Sequence, residues 1–155
     1  MRASCPRCSG GVEQKSLGII SVVVSPLRLT VEDMPAAGCA KNHSAPIDNE
    51  FMPWLAQELK GREAALPAAE ESGRLSRRFL CACGKELAPH SERKQTFPLE
   101  LAYAGYPSFT AAIEMPVYKC SGCGKPQLRS VKEAQKFTSL ALGELSDAAG
   151  FPHAT

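Results

Sequence analysis

The stretch Met115-Pro116-Val117-Tyr118-Lys119-Cys120-Ser121-Gly122-Cys123-Gly124 decides how this chain reads, because a strand-like apolar run ends in it at a Cys-x-x-Cys-Gly turn. Such a turn presents two sulfurs from one tight knuckle, and the glycine supplies a backbone that other residues adopt at a cost. Two soft ligands do not close a tetrahedral site. The second pair comes from upstream, at Cys81-Ala82-Cys83-Gly84, where the spacing is one residue tighter.

The same logic applies to the first half. Cys5-Pro6-Arg7-Cys8 is a second Cys-x-x-Cys, and Cys39-Ala40-Lys41-Asn42-His43 offers a sulfur and an imidazole four residues apart. Cys5, Cys8, Cys39 and His43 make a set of three cysteines and one histidine; Cys81, Cys83, Cys120 and Cys123 make an all-cysteine set. All seven cysteines are used and none is left over. Thiolate-rich tetrahedral sets point to two structural Zn²⁺ ions. His43 enters because the first site needs a fourth ligand, whereas His90, between Pro89 and Ser91, and His153, in a Pro-containing tail, read as ordinary residues.

Working outward, 155 residues with 44% hydrophobic and 22% charged content make a globular chain with room for one ordinary domain or two small ones. One Trp, three Tyr and six Phe beside seven Cys describe a thin core, of the kind that metal supports. An odd cysteine count argues against a disulfide framework. The longest apolar run, Leu17 to Val24, is far short of the roughly 20 residues that span a bilayer, and it reads as a buried strand. No basic stretch followed by a long apolar segment opens the sequence, so the expected compartment is cytoplasmic, with no membrane partner.

Leu27, Leu29 and Val31 alternate with polar neighbours and predict a second strand, joined to the first near Ser25-Pro26. A helix should follow: Asp48 and Asn49 are N-cap types, Pro53 fits only a first turn, Phe51, Leu55 and Leu59 share a face, and Gly61 should end it. Residues 62–73 have no apolar stripe and read as a linker or marginal helix, with the domain boundary there. In the second half, Ser130-Val131-Lys132-Glu133 has the form of a capping box, and Val131, Ala134, Phe137, Ala141 and Leu145 have helical spacing. Met-Pro-x-x-x-Cys occurs at Met34 and again at Met115, 81 residues later, each time before a second ligand pair. The expected fold is therefore α+β: a first ribbon-like zinc module with its helix at 1–61, a linker at 62–73, and a second module with a C-terminal helix at 74–150.

At Val31-Glu-Asp-Met-Pro-Ala-Ala-Gly-Cys39, with Cys5-Pro-Arg-Cys8 upstream, the first module resembles the zinc-finger domains of YgiT-type antitoxins. Met115-Pro-Val-Tyr-Lys-Cys120-Ser-Gly-Cys123-Gly124 resembles them more loosely. The resemblance implies a β-hairpin between two ligand pairs, bound zinc and a tandem zinc ribbon. His43 departs from it, standing where a cysteine is expected and one residue late. No helix-turn-helix segment follows, so the resemblance speaks for zinc and fold more than for transcriptional control.

Function classes separate on chemistry. Both inferred sites are saturated, and no Gly-x-Ser-x-Gly, His-Glu-x-x-His or phosphate-loop pattern occurs, so no catalytic residue is assigned and the chain reads as a non-enzyme. A nucleic-acid or ribosome partner would draw on the eleven basic and five acidic groups of residues 74–140. The basic residues are Arg74, Arg77, Arg78, Lys85, Arg93, Lys94, Lys119, Lys125, Arg129, Lys132 and Lys136, with Tyr103, Tyr106 and Phe109 as stacking surfaces. Seven thiolates and two Zn²⁺ would, however, lower the net charge from +2 to −1. The favoured expectation is a protein-interaction adaptor or regulator, with exposed strand edges and Phe51, Met52 and Trp54 as an apolar anchor.

Overall fold

The structure, a computed structural model, describes residues 1–73, 78–88 and 92–153. It is mixed α/β, with two helices and antiparallel sheets. In chain order the elements are β1 (Val12–Ser16), β2 (Ile19–Val24), β3 (Leu27–Glu32), β4 (Pro35–Cys39), β5 (Ser44–Pro46), α1 (Phe51–Ala64), β6 (Glu70–Ser72), β7 (Arg78–Leu80), β8 (Glu92–Leu101), β9 (Phe109–Lys119), β10 (Pro126–Gln127) and α2 (Val131–Ala148).

The central sheet runs β2-β3-β9-β8, with β10 pairing the far end of β9. β2 and β3 form a hairpin over Ser25-Pro26, where the peptide is cis. β3 then pairs with β9, Leu29 opposite Ile113 and Val31 opposite Ala111. Alternation does the rest: Leu27, Leu29, Val31, Phe109, Ile113 and Met115 point to one face and are buried there. Both helices cover that face. Phe51, Leu55 and Leu59 of α1 and Ala141, Leu142 and Leu145 of α2 belong to the same core cluster as those strand residues. One sheet and one core thus draw on both sides of residues 62–73.

That stretch, expected as a linker, is bonded into the fold. Helix α1 runs through Gly61 to Ala64, because a single glycine costs only about 1 kcal/mol in a helix and buried Glu63 gives the last turn a partner in Thr138 of α2. Beyond it, Leu128 N–H donates to Pro67 O at 2.8 Å and Ala69 N–H to Leu128 O at 2.9 Å, and β6 pairs with β7.

Two further expectations need correction. The run Leu17 to Val24 is not a buried strand: it breaks at Gly18, whose φ is +67°, and β2 lies at the sheet edge with Ile19 70% and Val23 58% exposed. Neither Asp48 nor Asn49 caps α1, because Glu50 holds that position without a side-chain cap. Asp48 is engaged elsewhere, accepting from Glu50 N–H at 2.9 Å and from the Tyr103 hydroxyl at 2.9 Å. The N-terminus of α2 follows expectation. Ser130 is its N-cap and accepts from Glu133 N–H at 3.2 Å, while the Glu133 carboxylate takes Arg129 instead of closing the box.

Candidate metal centres

Two four-residue groups bring their ligand atoms within 4.8 Å of one another: Cys5, Cys8, Cys39 and His43, and Cys81, Cys83, Cys120 and Cys123. Each is built from two knuckles, and the four knuckles share one backbone rule. The N–H of the leading cysteine donates forward, its carbonyl accepts from the residue before that acceptor, and this residue is left-handed.

At Cys5 the carbonyl takes Ser9 N–H and the N–H reaches Gly10 O; at Cys120 the corresponding partners are Gly124 and Lys125. These are the long knuckles. At Cys39 the partners are Asn42 and His43, and at Cys81 they are Gly84 and Lys85, one residue closer. The left-handed positions are Ser9 (φ 61°), Asn42 (φ 63°), Gly84 (φ 92°) and Gly124 (φ 74°). The tight Cys81-x-Cys83 spacing is thus the short form of the knuckle. The late position of His43 has a cause too: it follows the left-handed residue instead of preceding it, and the imidazole is longer than a thiol.

Distances test the fit. Zn–S bonds of about 2.3 Å at tetrahedral angles put sulfurs about 3.8 Å apart, and a shorter Zn–N bond draws that edge in slightly. The structure has Cys8 Sγ–Cys39 Sγ at 3.7 Å, Cys81 Sγ–Cys123 Sγ at 3.6 Å, Cys83 Sγ–Cys120 Sγ at 3.4 Å and Cys5 Sγ–His43 Nδ1 at 3.6 Å. These lengths fit the edges of a metal tetrahedron and are far longer than the about 2.05 Å of a disulfide. The cysteines are accordingly unpaired.

The electrostatics of the ligand sets point the same way. Burial works against ionising Cys5, but the N–H groups of Arg7 and Cys8 and the His43 ring outweigh it and hold the thiol at about 6. Cys81 is likewise held at about 6, by the N–H of Cys83 first and then by the side chain of Gln127. Lys85 N–H favours the Cys83 thiolate, yet the crowding sulfurs of Cys120 and Cys81 push it up to about 11. Four sulfurs this close cannot all carry charge without a cation between them. Gly122 N–H also donates to Cys120 Sγ at 3.3 Å. Gln127, which sequence reasoning missed, borders this cluster and donates to Lys125 O at 3.4 Å. It is 4% exposed in the two-residue β10, and nothing in its sequence context marks it.

The other candidates fall elsewhere. His153 approaches exposed Asp147 at 3.5 Å and joins neither cluster; Arg74, Arg77 and His90 lie outside the described residues. Phe109 is buried, and Tyr103 packs on Phe51 and Trp54 with ring centres 5.2 and 4.9 Å away. Tyr106 stacks on Tyr103, and Trp54, Tyr103 and Tyr106 are all partly buried against the core. Trp54 therefore serves its own core. Arg129 lies over the rings of Phe79 and Tyr118 and pairs with Glu133.

Comparison with protein-family models, curated proteins and solved structures returns no match for this chain. Fold and site define a mixed α/β protein with two cysteine-rich clusters, each able to hold one metal ion. Among the described residues, no helix is long and apolar enough to cross a membrane.

Proposed function

We propose that this is a cytoplasmic, non-catalytic zinc protein that acts as an interaction adaptor or regulator. It is built from two ribbon-like units, one with three cysteines and a histidine and one with four cysteines, each followed by a helix. One observation carries the reading: each cluster gathers four protein ligand atoms, enough to fill a tetrahedral site. A catalytic zinc keeps a position open for water or substrate, and four ligands leave none. Thiolate-rich tetrahedral sets favour zinc among common divalent ions, and the clusters stand at strand ends, Cys39 closing β4 and Cys120 following β9. The resemblance to YgiT-type antitoxin domains belongs to this proposal and supports its zinc and its ribbon-like fold.

Binding of nucleic acid or ribosome through residues 74–136 is the weaker alternative. Its stacking aromatics are largely committed to the core, and Arg129 is held by Phe79, Tyr118 and Glu133. Copurification at two salt concentrations tests the choice. An adaptor retains a protein partner with a shallow salt dependence; RNA or DNA that binds tightly at low salt and is lost steeply as salt rises would favour the alternative.

A further inference from the structure

We infer that β2 is a self-pairing edge, joining antiparallel to β2 of a second copy of this chain so that the central sheet runs through a two-fold axis. This edge is independent of the metal clusters, and the contrast between the two ends of the sheet marks it out.

The far edge, β8, is guarded in the usual ways, with Glu92, Arg93, Lys94 and Glu100 along it and Pro98 in its middle. β2 has no such guard. Its sequence is Ile19-Ile20-Ser21-Val22-Val23-Val24, without charge or proline, at the end of the sheet. Such a strand offers an open ladder to another one.

The open groups can be named. Val24 and Leu27 close the two-residue turn as a hydrogen-bonded pair, and Asp33 N–H donates to Gly18 O at 2.8 Å. Even-numbered residues of β2 therefore bond to β3, and the N–H and C=O groups of Ile19, Ser21 and Val23 face outward. No strand partner takes them among the described residues.

The occupant follows from self-complementarity. In a two-fold pairing centred on Ser21, Ser21 meets its own copy and Ile19 meets Val23, so all three outward residues form hydrogen-bonded pairs. The same register sets the two exposed apolar side chains, Ile19 and Val23, against each other. Ile19 is flanked on β3 by Glu32, and Val23 by Arg28. Each row across the joint then reads acid, Ile, Val, base, and no like charges meet. The central row carries hydroxyls only, Ser21 bonding Thr30 at 3.0 Å in each copy. An unrelated peptide would need to reproduce this pattern, whereas a second copy has it by construction.

The test is sedimentation of the zinc-loaded full chain at about 100 µM, a concentration suited to a small interface. A dimer of twice the 16.6 kDa chain is expected. Val23→Lys and, independently, Ile19→Lys should give monomers with unchanged circular dichroism and metal content. In a mixed-label sample, NOEs between the Ile19 methyls of one copy and the Val23 methyls of the other should appear. A monomeric wild type at this concentration, a dimer that survives both lysines, or a dimer without those NOEs would overturn the inference. Should one lysine variant fail to fold, the other carries the test, since both positions are more than half exposed.

Discussion

Replacing Ile113 with Ala tests whether the two halves of the chain fold as one. Ile113 is 2% exposed on β9, opposite Leu29 of β3 on one side and Phe97 of β8 on the other. The change removes three buried carbons, worth about 2.4 kcal/mol at about 0.8 kcal/mol each. A cavity term brings the loss to about 3 kcal/mol, inside the range of about 2–5 kcal/mol measured for such truncations. With a urea m-value of about 2 kcal/mol/M, the midpoint should fall by about 1.5 M. The reporter is Trp54, the chain's one tryptophan, which sits in α1 of the first half and packs on Phe51, Tyr103 and Phe109. Urea titrations in saturating zinc should show the full shift in Trp54 fluorescence. They should show the same shift in release of metal from the four-cysteine cluster. A Trp54 transition that stays in place while the second half unfolds earlier would refute the shared core.

Two other substitutions have outcomes set by local physics. Ser9 holds the left-handed position that Gly124 holds in the matching knuckle, so Ser9→Gly should stabilise the first metal site by about 1 kcal/mol, read as a higher thermal midpoint in zinc. Glu63 is 1% exposed, and burial raises its pKa above the ordinary 4.5 despite the Thr138 hydroxyl and nearby Lys60. The native state therefore binds this proton more tightly than the unfolded chain, and stability falls as pH rises from 4.5 through the raised value. Glu63→Gln should be more stable than wild type at about pH 8 and lose that advantage as pH falls toward the ordinary carboxylate range; a constant difference would contradict the buried-carboxyl reading.

The two cysteine-rich clusters were legible because cysteine pairs at knuckle spacing, in a count that closes at eight, leave a dense local signature. Helix α2 was legible for a similar reason, since Ser130, Glu133 and the apolar stripe lie within a few turns of one another. The β3–β9 pairing was not legible. Alternation at Leu27, Leu29 and Val31 says which face is buried but not which distant strand lies alongside, and these partners are about 80 residues apart. The edge position of β2 was hidden likewise, because a run of Ile and Val reads the same at an edge as at a centre. Gly61 misled because local propensity was outweighed by tertiary contacts at Leu59 and Glu63. The knuckle rule at Ser9 and Asn42 lies in backbone hydrogen bonds and left-handed φ values, and residue identity announces it only where the residue is glycine.

The most direct measurement is metal content joined to coordination in one sample, by native mass spectrometry and zinc-edge X-ray absorption on protein purified without added metal. Two zinc ions per chain are expected, one bound by four sulfurs and one by three sulfurs and a nitrogen, as the two clusters require. His43→Ala should remove the nitrogen scatterer and weaken only the first site. A reproducible stoichiometry near one or zero, a first shell dominated by oxygen, or cysteines found as disulfides would contradict the two-centre reading.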